Sequence, residues 1–304
     1  MVEETSVRTE GFEIVGAGWR HHEPQEREPT FREKLKGKPI AAAVILLLIV
    51  LGCIFAPYIA NHDPTKYYYD ATSLPPNSEY YFGTDSLGRD LFSIMFYGGR
   101  ASLTIGILGA AVVAVLGITY GTISGTASDR VDGILMRIME LFGSIPSILL
   151  ILIITAVFPA GNVITMSLVV GVTGWFGLAR IVRGEVRQIR NTEYVLYARS
   201  TGGKFFYVMR RHLVPNFLSA IMFVVVSSIS SCITTESTLS FLGLGLPLDI
   251  LSWGSMLSLA NRALILNTWW VIIIPGLFLV VTLLCITDLG NYLRKEVNRK
   301  PSNL

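Results

Sequence analysis

Five stretches of this chain contain no Asp, Glu, Lys or Arg: Pro39–Ala60, Ala101–Ser128, Leu141–Ala179, Phe217–Thr235 and Ala263–Thr287. At 1.5 Å per helical residue, roughly 20 apolar residues cross the ~30 Å hydrocarbon layer of a bilayer. Four of the stretches each fit one crossing. Leu141–Ala179 is too long for one, and Pro159-Ala160-Gly161-Asn162 punctuates it near its middle, which predicts two crossings joined by a tight turn. The sequence therefore predicts an all-α integral membrane protein with six transmembrane helices. Composition agrees, because 15% of residues are charged where a soluble chain carries about 25%.

Orientation follows from the basic residues that flank the spans. Arg8, Arg20, Arg27, Arg32, Lys34, Lys36 and Lys38 precede the first span. On the same side fall Arg130, the loop residues Arg187, Arg190, Arg199, Lys204, Arg210 and Arg211, and the tail residues Arg294, Lys295, Arg299 and Lys300. The other side receives Lys66, Arg89 and Arg262. Eighteen against three predicts that both termini are cytoplasmic, as an even number of spans requires. The first span follows 38 mostly polar residues and has a 22-residue apolar core, so it reads as a retained anchor rather than a cleaved signal. The three cysteines, Cys53, Cys232 and Cys285, lie inside apolar runs and read as small buried residues, not as a disulfide framework.

The organisation expected is a cytoplasmic arm at 1–38, a first transmembrane helix at 39–60 and an external loop at 61–99 rich in aromatic residues. A five-helix core at 100–293 and a cytoplasmic tail at 294–304 follow. A second external loop, about 243–262, begins with Gly243-Leu244-Gly245-Leu246-Pro247 and contains Trp253. Gly117, Gly121 and Gly125 recur every four residues in the second span, a spacing that lets another helix approach closely, either within the bundle or at a subunit interface. Pro146 and Pro275 are expected to kink their spans, since each removes a backbone hydrogen bond. Within the core, the cytoplasmic loop 184–216 is too long for a turn and too patterned for disorder. Glu193–Thr201 and Lys204–Leu213 each suit a short helix, with Gly202-Gly203 between them and Pro215 closing the loop. A basic, partly apolar element of this kind must bury its apolar face, under its own bundle or in another protein.

The chemistry absent is equally informative. The four histidines, His21, His22, His62 and His212, lie outside the spans, so Gly143-Ser144 and Gly254-Ser255 have no imidazole partner for nucleophilic work. No cluster has metal-ligand spacing. Gly202-Gly203-Lys204 resembles the end of a phosphate loop, but no Gly stands five residues before Gly203 and Phe205 replaces Ser or Thr. Ionisable residues in the spans are few: Glu140, Arg180, Arg183, Glu236 and Asp288, all near span ends. An ion or proton relay would mark itself by such groups at membrane depth, so the passage reads as uncharged and powered by another chain.

The external motif Phe82-Gly83-Thr84-Asp85-Ser86-Leu87-Gly88-Arg89-Asp90, continuing to Arg100-Ala101-Ser102-Leu103, resembles the signature of the C-type permease subunits of ATP-binding-cassette importers for oligopeptides, dipeptides or nickel. The loop residues Glu193-Tyr194-Val195, Ala198-Arg199, Gly202 and Arg211-His212-Leu213-Val214-Pro215-Asn216 resemble that family's coupling motif, and Leu239–Gly245 and Ser252-Trp253-Gly254 match further stretches. The resemblance covers about residues 30–295. One departure stands out: against Glu-Ala-Ala-x-x-x-Gly, Leu196 takes the Glu position and Tyr197 the first Ala, leaving Ala198 and Gly202 in place. Leu196, Tyr197 and Phe205 imply an unusually apolar docking face.

The resemblance implies the type I importer permease fold in the bacterial cytoplasmic membrane. It also implies a homologous second permease, two ATP-binding-cassette ATPase subunits and an external substrate-binding protein as partners, with no nucleic acid. No cofactor is expected in this chain, ATP and Mg being held by the ATPases. The substrate expected is a peptide, oligopeptide before dipeptide, with nickel or another small solute as the alternative. A secondary carrier without ATPases is the rival mechanism.

Overall fold

The computed structural model describes residues 38–158, 161–202, 207, 214–247 and 249–299. Lys38 is the only described residue of the expected cytoplasmic arm. The rest of the arm, the loop residues Phe205 and Arg211, and the end of the tail lie outside the described residues.

The described residues form helices joined by turns, apart from an irregular segment over residues 60–90 that carries one 3-10 turn at Tyr69–Ala71. Helix α1 spans Ile40–Ile54 and is followed after Phe55 by the single turn α2, Ala56–Ile59. Val44, Leu47, Leu48 and Ile54 on α1 are exposed, an apolar surface that suits lipid. Helix α3, Leu91–Thr126, has 36 residues and is roughly 54 Å long. The sequence suggested a loop as far as residue 99, but the helix begins at Leu91. Asp90 caps it, its carboxylate accepting from the Ser93 N–H at 2.8 Å, and the next nine residues include no proline to delay the start.

The long uncharged stretch is divided more finely than expected. Helix α4, Asp129–Gly143, meets α5, Ser147–Val157, at 85°, because Pro146 ends one helix and opens the next instead of kinking a continuous one. Helix α6, Val163–Gly174, opens on a capping box in which Asn162 and Thr165 exchange hydrogen bonds. It bends by 49° at Trp175 into α7, Phe176–Ile189. The short α8 is Glu193–Ser200, and α9 is Val214–Phe241 with Pro215 in its first turn, where a missing N–H costs no helical hydrogen bond.

The segment expected as a second exposed loop is folded. It carries α10, Trp253–Leu257, and α11, Ala260–Ile265, and Trp253 is fully buried. Helix α12, Trp270–Arg299, continues unbroken through Pro275. Among the described residues, helix α3 and the apolar stretches Ile221–Phe241 and Trp270–Glu296 are long and apolar enough to cross a bilayer, and counting the bent pairs α4–α5 and α6–α7 as one span each raises that number to five. The expected first crossing falls on α1, whose 15 residues span only roughly 22 Å.

Two apolar cores hold the bundle. One joins α3, α6, α7 and α9 through Ile105, Val113, Met166, Val170, Leu178, Val182 and Ile221. The other joins α1, the start of α3, α10 and α12 around Trp253, with Cys53, Ile94 and Val271. The glycines of α3 are what let α7 close on it. A methyl group at Gly121 would lie 2.5 Å from the Ala179 carbonyl oxygen and 2.7 Å from Val182 Cβ. Because backbone cannot yield as a side chain can, Gly121→Leu should destabilise the bundle by roughly 1–3 kcal/mol or more. Gly133→Leu, in open space on α4, should be tolerated. Thermal unfolding of the two purified variants in detergent checks the contrast; equal melting would show that α3 and α7 do not pack this way.

Candidate functional site

Gly117, Gly121 and Gly125 all face α7, where added methyl groups would meet Leu178 at 2.8 Å, the Ala179 carbonyl at 2.5 Å and Val186 at 2.8 Å. Of the two roles open to this stripe, the structure places it in contact within one chain. The close approach brings the end of α3, the start of α4 and the end of α7 together, and charge then locks them. Asp132 on α4 is buried. Its Oδ1 accepts from Ser124 Oγ at 2.5 Å and Arg183 Nε at 2.6 Å, and its Oδ2 accepts from Arg183 Nη2 at 2.5 Å. Arg187 Nη2 reaches Asp129 Oδ1 at 2.6 Å and Asp132 Oδ2 at 3.1 Å. Arg190 Nη1 donates to the carbonyls of Gly125 (2.9 Å) and Ala127 (3.0 Å), occupying acceptors that the end of α3 leaves free.

Helix α8 follows after the three residues Arg190, Asn191 and Thr192. Val195 is fully buried and Ala198 half-buried against the first core, beside Val186 and Ile189. Glu193 is exposed, and Tyr197 is 73% exposed. An apolar ring left in that position is available to a partner. Gly202, just beyond α8, has φ +86°, with nothing within 4 Å of where a side chain would begin. Its backbone conformation, not crowding, is what calls for glycine. Leu196, Pro215 and Asn216 are described in their backbone only, so the structure gives no contacts for their side chains.

The signature residues gather before the other end of α3. Asp85 Oδ2 accepts from Arg89 Nε at 2.8 Å, while Oδ1 accepts from the backbone N–H of Leu87 (2.8 Å) and Arg89 (2.9 Å). Asp85 is thus the partner of Arg89, and Asp90 is the helix cap. Gly83 and Gly88 have φ +76° and +77°, and the turn they permit brings Thr84 and Asp90 into an isolated antiparallel bridge. Trp270 Nε1 donates to the Thr84 carbonyl at 3.0 Å, fastening this turn to the start of α12.

Two clusters escaped sequence reasoning. Asp132 and Arg183 are 51 residues apart, with no pattern to pair them. Glu236 was visible as a rare carboxylate in an apolar span, but its partners were not. Its Oε1 accepts from Ser240 Oγ and Ser252 Oγ, each at 2.8 Å. Its Oε2 accepts from Ser237 Oγ at 3.3 Å and Ser102 Oγ at 3.4 Å. Since Ser252 caps α10, this carboxylate holds the folded-back segment against α3 and α9. Trp253 completes the attachment, donating from Nε1 to the Met95 carbonyl at 2.9 Å.

The Asp132 side chain is 4% exposed and that of Arg183 26%. Removing one partner of such a pair leaves an uncompensated charge and costs roughly 3–5 kcal/mol, whereas removing both costs far less. Asp132→Ala should therefore lower the thermal stability of the purified protein strongly. Adding Arg183→Met should restore part of the loss, so that the two changes are clearly non-additive. Additive losses would show that the pair is not coupled.

Comparison with known proteins gives the family. Residues 117–299 match the family described as binding-protein-dependent transport system inner membrane component, and residues 39–76 match the N-terminal TM domain of oligopeptide transport permease C. The chain is 35% identical over 269 residues to the dipeptide transport system permease protein DppC of Bacillus subtilis, covering 88% of this chain and 84% of that protein. It is 36% identical over 262 residues to the oligopeptide transport system permease protein OppC of the same organism, covering 84% of each. To the Escherichia coli oligopeptide transport system permease protein OppC it is 34% identical over 263 residues, covering 86% of each. With its clamped helix ends and long apolar helices, the chain belongs to the family of binding-protein-dependent transport system inner membrane components, multi-pass proteins of the cytoplasmic membrane.

Proposed function

We propose that this chain is one of two permease subunits of an ATP-driven importer that moves peptides, oligopeptides before dipeptides, across the bacterial cytoplasmic membrane. The observation that carries the proposal is α8. It is held to the bundle by Val195, joined without slack to a clamped helix, and leaves Glu193 and Tyr197 facing outward. A helix so mounted is suited to receive force from a partner. ATP and Mg belong to a pair of ATPase subunits, and an external binding protein delivers the peptide. The names of the oligopeptide and dipeptide relatives support the substrate class. The full topology in this reading has six crossings, with α1 and α2 together forming the first and both termini cytoplasmic.

In this scheme ATP binding closes the ATPase pair and moves α8. Because α8 continues from α7, and α7 is bound to α3 and α4 through Arg183, Arg187 and Arg190, the pull reaches the bundle as a body. The pathway then changes from inward- to outward-facing, a shift between two states by differential binding.

Gly202 sets how the chain leaves α8. A left-handed backbone costs residues other than Gly roughly 1–2 kcal/mol, with Asn among the most tolerant. Gly202→Leu should insert normally but lose ATP-driven peptide uptake by the reconstituted complex, whereas Gly202→Asn should keep much of it. Full uptake by Gly202→Leu at equal expression would show that this turn does not couple the two halves.

A further inference from the structure

Helix α9 differs from the other long spans. Its apolar stretch has a mean hydropathy of 1.3, against 2.3 for α3 and 2.6 for α12. The deficit comes largely from hydroxyl groups, and in the C-terminal half of the helix Ser231, Thr234 and Thr238 are exposed at helical spacing. The exposed faces of α1 and α12 instead carry Leu47, Leu48, Leu277, Val280 and Leu284. Hydroxyls do not need lipid, so the two kinds of face point to two environments.

The hydroxyl face lines an open cleft of about 530 Å³, whose lining also includes Ser147 of α5 and Thr287 of α12. That volume lies within the roughly 300–1,000 Å³ of small-molecule sites. A second cleft of about 500 Å³ is lined by Thr155 of α5, Ser240 near the end of α9, the turn Gly243–Pro247 and Ser255 of α10. Neither lining contains a charged residue.

The hydrogen bonding defines what this surface can recognise. Thr234 and Thr238 donate their hydroxyl hydrogens to the carbonyls four residues earlier, both at 2.8 Å, as Thr287 does to Leu283. Their oxygen lone pairs are left to face the cleft. Ser230 Oγ is buried at the same cleft with no hydrogen-bond partner in the structure. The lining therefore offers mainly acceptor oxygens, with Ser230 able to accept or donate, and carries no charge.

We infer that the hydroxyl face of α9, with Ser147 and Thr287 opposite, is this subunit's share of the translocation path, and that it takes the N–H groups of an extended peptide main chain. The inference rests on the importer function proposed above and names the surface that function uses. Every peptide offers backbone N–H donors at regular spacing, whatever its side chains. An uncharged acceptor surface holds them weakly and is indifferent to side-chain charge, which suits passage better than storage.

The test uses the full complex in membrane vesicles, carrying a chain whose Cys53, Cys232 and Cys285 are replaced by Ala and which still imports peptide. Single cysteines are placed at Ser231, Thr234 and Thr238, with Leu277 and Val280 as lipid-facing controls. A water-soluble charged methanethiosulfonate should modify the three sites several-fold faster than the controls, and excess peptide substrate should slow it. Thr234→Trp should lower uptake several-fold while ATP hydrolysis persists, and Thr234→Ser should retain uptake. Modification no faster than at the controls in every nucleotide state would overturn the assignment, showing the face covered by lipid or by the second permease. So would full uptake by Thr234→Trp. A wild-type complex that hydrolyses ATP but imports no peptide would instead overturn the underlying function, and the assignment with it.

Discussion

A carboxylate as buried as Asp132 must be paired, and the way it is paired organises this protein. Asp132 draws Ser124 from the end of α3 and Arg183 and Arg187 from α7 onto the first turn of α4. The pairing is geometrically possible only because Gly117, Gly121 and Gly125 let α7 approach α3 to backbone contact. Packing and electrostatics depend on each other here. Without the glycines the arginines could not reach, and without the arginines the buried charge would force the helix ends apart.

The same logic recurs at the far end of α3 with different chemistry. Arg89 and Asp85 rigidify the turn that precedes the helix, and Glu236 with its serines fixes the folded-back α10. Helix α3, roughly 54 Å long, is thus tied down at both ends. Between those ties the bundle packs through apolar side chains and a few buried hydroxyls bonded to their own helix backbones, such as those of Thr173 and Thr282, while α9 presents an exposed, uncharged hydroxyl face. Under the function proposed above, with energy arriving from another chain, this division between stiff ends and an uncharged face is what transport would require.

Much of this was legible in the sequence. Uncharged runs of membrane-spanning length pointed to the helices, and the motif around Asp85 and Gly88 marked the turn. The residues lost to sequence reasoning share a physical reason. The loop reading of 91–99 relied on charge at Arg100, yet a cap at Asp90 and a long arginine side chain allow the helix to start earlier; Arg100 Nε donates to the Cys53 carbonyl at 2.7 Å. The segment around Trp253 read as a loop because its Gly and Pro content outweighed a capping box of only two serines. The pairing of Asp132 with Arg183 depends on tertiary contact between helices distant in sequence, which local pattern does not encode.

The central claim is that the clamp makes α3, α4, α7 and α8 move as one body when the ATPases bind nucleotide. Spin labels at Arg130 on α4 and Tyr197 on α8, both exposed, report on it directly in the assembled complex. The distance distribution between them should be the same in nucleotide-free and ATP-bound states, and should broaden when Asp132 is replaced by Ala. A wild-type distance that shifts on ATP binding would mean that α8 moves independently of the bundle, and would contradict the account.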